Sequence, residues 1–231
     1  MKQLVFFAMG VMAVLLVSCE SNSLEAGNEQ TYVDLGLSVK WATCNVGAKT
    51  PQDAGGYFAW GEIRTKNNYS WWTYKWCNNS PDALTKYSTD AEFASVVDKQ
   101  TYLEKKDDVA AVHWGNQWRM PTRAEFQELM DSCIWLETFK VDSLYKDTVF
   151  IGLDSVLLGY TIKSLDDAYT DSLFLPAAGF KFEDSHLDLN ETASYWTSTL
   201  LENSPRNAYD AGSHSRAHDR CVGRPIRPVH P

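Results

Sequence analysis

Near the C-terminus, Asn207, Tyr209, Asp210, Ser213, His214, Ser215, Arg216, His218, Asp219 and Arg220 fall within fourteen residues. Short polar groups, a phenol, imidazoles and guanidiniums are the residue types that make adaptable contacts at an interface for little ordering entropy. Asn207, Tyr209, Asp210, His214, Arg216, His218 and Arg220 are therefore the expected ligand-binding set. The competing account is a solvated loop that accepts any polar sequence. Cys221 follows three residues after His218, a spacing that could pair a thiolate nucleophile with a base. A structural cysteine beside a surface histidine is the plainer explanation.

Other arrangements offer less. Serine-hydrolase motifs, HExxH and phosphate-cradling glycine loops are absent from the sequence. Asp107-Asp108 and Asp166-Asp167 stand where turns or helices start, and solvated caps explain them. Glu183, Asp184, Asp188 and Glu191 supply hard oxygen ligands that would suit calcium, but without EF-hand spacing they read as a solvated acidic stretch. Trp71, Trp72, Tyr74 and Trp76 could form an aromatic platform, although a core of this size is expected to bury most of its tryptophan. No catalytic residue, cofactor or metal is expected.

These groups need a folded support, and the composition provides one. A hydrophobic content of 44% with nine tryptophans excludes a disordered chain. The formal charge of −9 argues against nucleic acid as a partner. That charge is uneven: from Pro205 to Pro231 five arginines face two aspartates, a net of +3, which leaves −12 on the rest. A basic recognition surface and a merely solvated basic edge both fit this pattern. Cys44, Cys77, Cys133 and Cys221 permit two disulfides in three connectivities or four buried thiols, and the spacing does not choose.

The first eighteen residues differ in kind. Lys2 precedes an apolar, uncharged run from Leu4 to Val17, too short to span a bilayer and suited to a signal-peptide core. Leu16-Val17-Ser18-Cys19 looks like a bacterial lipobox, so Cys19 is the expected lipidation site after removal of residues 1–18. Residues 19–30 are polar and aperiodic, as a tether would be, and residues 31–231 fit one domain.

Within that domain the clearest helix starts at Thr122. Thr122 and Glu125 form a capping box, and Phe126, Leu129, Met130 and Cys133 recur at helical spacing. A second helical turn is expected at 107–112 and a weaker one at 91–97. Strand signals cover 32–43, 57–60, 149–162, 173–175 and 195–200, and Ile226–Val229 between prolines suits an edge. Alternating apolar residues from Phe139 to Ile151 predict a hairpin.

The stretches Tyr32–Leu37, Trp41–Ala48, Gly56–Glu62, Asp107–Ala110, Trp114–Thr122, Phe174–Phe180, Tyr195–Thr199 and Gly223–Val229 follow one another in a distinctive order. Together they resemble the Fibrobacter succinogenes major paralogous domain, common in lipoproteins of Bacteroides-like gut bacteria. Two departures stand out: the stretch from Glu137 to Val156 is longer than usual in that family, and Pro225 replaces a small polar residue. The family is similar to the C-type-lectin-like superfamily, which includes formylglycine-generating enzymes. The resemblance implies an α+β, C-type-lectin-like domain with two main helices and several short, mostly antiparallel strands, whose C-terminal segment faces a ligand. It implies no sugar binding by itself. The copper-holding cysteine pair of the oxidases has only Cys221 as a counterpart here.

Together these readings predict an outer-membrane lipoprotein facing periplasm or cell surface. Its head would bind a surface protein or glycan without catalysis, with the membrane reached through the acyl chain on Cys19. A structural component of an envelope or pilus-like assembly and a degenerate relative of the oxidase are the alternatives.

Overall fold

The computed structural model describes residues 30–141 and 155–231. The expected signal peptide, Cys19, nearly all of the tether and the tip of the predicted hairpin lie outside these residues.

Eleven strands and two α-helices form among the described residues: β1 (Tyr32–Val33), β2 (Lys40–Ala42), α1 (Val109–Trp114), α2 (Arg123–Asp131), β3 (Cys133–Val141), β4 (Ser155–Ser164), β5 (Ser172–Pro176), β6 (Phe180–Phe182), β7 (Ser185–Leu187), β8 (Ser194–Leu200), β9 (Asn207–Gly212), β10 (Arg216–Asp219) and β11 (Val229–His230). They make four small antiparallel sheets, in the orders β1-β2-β11, β3-β4-β5, β10-β9-β8 and β6-β7. The expected balance of α and β needs correction. Helix accounts for 10% of the structure and strand for 34%, so the architecture is mostly small antiparallel sheets and the two helices are minor elements. The reason is local. The apolar face that begins at Phe126 does run on to Cys133, but Ser132 ends the helix and Cys133 already opens β3. The candidate helix at 91–97 does not form: the stretch is turns and bends with a single bridge from Ala94 to Leu84.

Where the predicted caps exist, they act as predicted. Thr122 Oγ1 accepts from the Glu125 amide while Glu125 accepts from the Thr122 amide, completing the capping box. Asp108 caps α1 by accepting from Ala110 and Ala111, and its other oxygen accepts from Met120 at 2.8 Å, tying α1 to the strand-like approach to α2.

β8 holds the interior together. Its side chains alternate between two cores, as strand geometry demands. Tyr195 lies with Trp41, Phe126 and Leu175 in one, and Trp196 with Phe58, Trp60 and Tyr87 in the other. The second core is built mainly by residues 43–104, which contain no helix or strand. Irregular backbone can be buried only if its carbonyls find donors, and here aromatic side chains supply them. Tyr69 donates to the Tyr57 carbonyl at 2.5 Å, Tyr74 to Trp60 at 2.7 Å, Trp76 to Gly61 at 2.8 Å, and Trp60 itself to Thr197 at 2.8 Å. This explains the aromatic richness of 71–76: Tyr74 is buried and Trp71 and Trp76 are partly buried, whereas Trp72 is 76% exposed.

Candidate functional site

The polar run at 207–220 is a β-hairpin. β9 and β10 pair with Arg216 opposite Asp210, Ala217 opposite Tyr209, His218 opposite Ala208 and Asp219 opposite Asn207. Directly opposed residues share a face and successive ones alternate. The expected ligand-binding set is therefore split. Asp210, Arg216 and His218 share one face. Tyr209 and Asn207 take the other, where Asn207 donates to Asp219 at 3.1 Å and Tyr209 is covered by the Arg123 guanidinium at 4.0 Å. Arg220 belongs to neither. It is fully buried, donates to the carbonyls of Tyr87 (2.7 Å) and Lys86 (3.2 Å), and lies over the rings of Trp60 and Tyr74. It is an internal brace and does not reach a surface ligand.

On the first face a cleft of about 60 Å³ opens between the hairpin and the 188–194 segment. Its floor is a buried polar network. Asp210 accepts from His218 Nδ1 at 2.8 Å through one oxygen and from Ser194 Oγ at 2.5 Å through the other, and Arg224 Nη1 lies 3.5 Å from that second oxygen. Arg224 also donates to Ser194 Oγ and stacks on Phe180 and Trp196. Burial pushes the Asp210 carboxyl up, but the His218 hydrogen bond and the Arg224 charge outweigh it and hold the group below the usual carboxylate range. An ionised Asp210 needs a donor at His218 Nδ1, which leaves Nε2 as the acceptor of the neutral ring. Asp188, His214 and Arg216 complete the rim, and His214 and Arg216 are exposed. A buried, mutually bonded network below and exposed polar side chains above suit the capture of a polar group.

No protein-family model, curated protein or solved structure matches this chain.

Trp41, Trp60, Asp108, Tyr195, Trp196, Arg224 and Arg227 are all buried. Arg227 Nε donates to Asn45 Oδ1 at 2.7 Å, and its Nη atoms donate to the carbonyls of Ala42, Thr43 and Phe174 at 2.9, 2.6 and 3.0 Å. Three of the five C-terminal arginines, 220, 224 and 227, are thus internal, and the reading of the segment as a basic surface survives only for Arg206 and Arg216. Arg224 and Ser194 were absent from the expected set, although a buried Asp210 demands a cation and a donor beside it.

The remaining chemical candidates are also placed. Cys44, Cys77, Cys133 and Cys221 are free thiols. Burial pushes the Cys221 thiol up to about 12, and His218 is engaged by Asp210, so this pair is not arranged as an activated nucleophile. Among the described residues no three His, Cys, Asp or Glu side chains gather as a metal site, those at 183–191 included. Among them, too, no helix is long and apolar enough to cross a membrane.

Proposed function

We propose that this chain is an exported lipoprotein, anchored at the outer membrane through Cys19, whose head binds a surface protein or glycan through the cleft face of the β9–β10 hairpin. The observation that carries the reading is the contrast across that cleft. Ser194, Asp210 and Arg224 are buried and mutually bonded, while His214 and Arg216 stand exposed above them. A buried, bonded floor beneath exposed polar side chains favours binding, because only the rim must be ordered when a partner arrives. The lipobox-like Leu16–Cys19 and the polar residues after it support display at a lipid surface.

The test is a screen of the full-length protein, held in detergent micelles, against envelope glycans and surface proteins. For the partner recovered, His214→Ala with Arg216→Ala should weaken binding about tenfold or more, as expected for loss of central polar contacts, with thermal stability unchanged. Equal binding by the double variant to every partner recovered would remove the cleft from the account.

A second reading, a subunit of an envelope or pilus-like assembly, is favoured by the β3–β4 hairpin. Ile134 and Leu136 share one face of β3 and are 45% and 48% exposed, apolar side chains of the kind that assemblies cover. Cross-linking and size-exclusion of the detergent-held protein separate the two, since a discrete monomer speaks against assembly.

A further inference from the structure

We infer that the opposite side of the hairpin carries a carbohydrate subsite, a groove between the first turn of α2 and the sheet edge formed by β8 and residues 101–103. The inference rests on the reading of the chain as a binding protein, but it uses different residues from the cleft and can fail separately.

The groove is set by backbone pairing. Leu200 donates to the Thr101 carbonyl at 2.8 Å and Leu103 to Ser198 at 3.1 Å, so residues 101–103 lie along β8 with Tyr102 opposite Thr199. The Arg123 amide donates to Thr199 Oγ1 at 3.0 Å, which brings the start of α2 over the same strand. Between them lies an open groove of about 810 Å³, long enough to receive an extended ligand along its floor.

Its lining has the chemistry of a sugar site. A pyranose presents C–H groups on one face and a rim of hydroxyls that both donate and accept. It therefore needs a flat aromatic surface and planar polar groups at the edge. Tyr102 is 55% exposed and supplies a free ring. Arg123, whose guanidinium lies 4.0 Å from the centre of the Tyr209 ring, presents its fork of donors. Gln127, Glu202 and Asn203 add an amide, a carboxylate and a second amide. One cation and one carboxylate leave the groove close to neutral, which favours a neutral saccharide over an anion. An apolar peptide is disfavoured because the aliphatic lining is limited to Ala124, Leu200 and Leu201, and Leu200 is buried.

The test titrates the full-length protein in detergent micelles with neutral hexasaccharides of glucose, mannose, galactose and xylose, and with a pool of mixed hexapeptides, followed by calorimetry. At least one hexasaccharide should bind. Tyr102→Ala should weaken it about tenfold or more and Tyr102→Phe by less than about threefold, because the ring provides the contact. His214→Ala with Arg216→Ala should leave that affinity unchanged. Binding of peptides alone, of no saccharide, or of a saccharide with equal affinity in Tyr102→Ala would overturn the groove. Loss of saccharide binding only in the His214/Arg216 variant would also overturn it while supporting the cleft.

Discussion

Replacing Arg227 by alanine should destabilise the protein by about 4 kcal/mol, seen as a large fall in the urea midpoint at unchanged slope. Arg227 is fully buried and uses four hydrogen bonds to join the backbone at 42–43, Asn45 and β5 to the last segment of the chain. Its acceptors are neutral, so removal takes the guanidinium donor from three carbonyls and an amide oxygen, two of these bonds being buried and two partly buried. Water would have to enter, or each acceptor would carry its desolvation cost of about 1–3 kcal/mol. Lysine should not rescue the loss. Its three donors radiate from one point, whereas a planar guanidinium reaches carbonyls on three sides at once. A midpoint for Arg227→Ala within about 1 kcal/mol of the parent would show that this network is not a keystone.

Asp210→Ala should cost about 3–5 kcal/mol and loosen the cleft at the same time, because it leaves the buried Arg224 guanidinium with a hydrogen bond to Ser194 and only the exposed Asp188 carboxylate as a counter-charge. The pair is asymmetric in its consequences. Breaking it leaves an uncompensated charge, but replacing both members by apolar groups removes the charge altogether. Asp210→Leu with Arg224→Met is accordingly expected to recover most of the stability lost in Asp210→Ala while abolishing binding at the cleft. The pH dependence has a definite sign. The folded carboxyl titrates below its unfolded value of about 3.9, so its contribution is fully present above that pH and is lost as pH falls through the lower folded value. Denaturation profiles of parent and Asp210→Ala should converge as pH drops below about 4. Parallel profiles through that window would contradict the ion pair.

How far the sequence foretold this arrangement depends on the kind of signal. Helix starts were legible because a capping box and an N-terminal aspartate are local devices, and both Thr122 and Asp108 act where their neighbours suggest. The strand at 172–176 was legible as a short apolar run and that at 194–200 from its aromatic and β-branched residues. The helix content was overread because periodicity alone does not mark an end: Cys133 keeps the α2 spacing yet belongs to β3. Residues 43–104 hold neither the strand expected at 57–60 nor the helix expected at 91–97, since their order comes from aromatic donors meeting distant carbonyls.

The site was half legible for a related reason. Polar composition located the hairpin but not its two faces. Only the β9–β10 register separates Asp210, Arg216 and His218 from Tyr209 and Asn207. The C-terminal arginines misled because charge counting assumes solvation. Here Val222, Ile226 and Val229, all buried, alternate with Arg220, Arg224 and Arg227, and that interleaving was the available hint of an interior segment. Tyr102 and Arg123 escaped notice because they stand about a hundred residues from the hairpin in sequence and meet it only through β8 and α2.

The claim that the head works by contact at the hairpin tip is tested most directly by site-specific photo-cross-linking in the cells that make the protein. A photoreactive side chain at His214 should give a discrete adduct, and the same group at the exposed Glu92 should give none. Identical adduct patterns from the two positions, or none from either, would contradict a recognition surface at this hairpin.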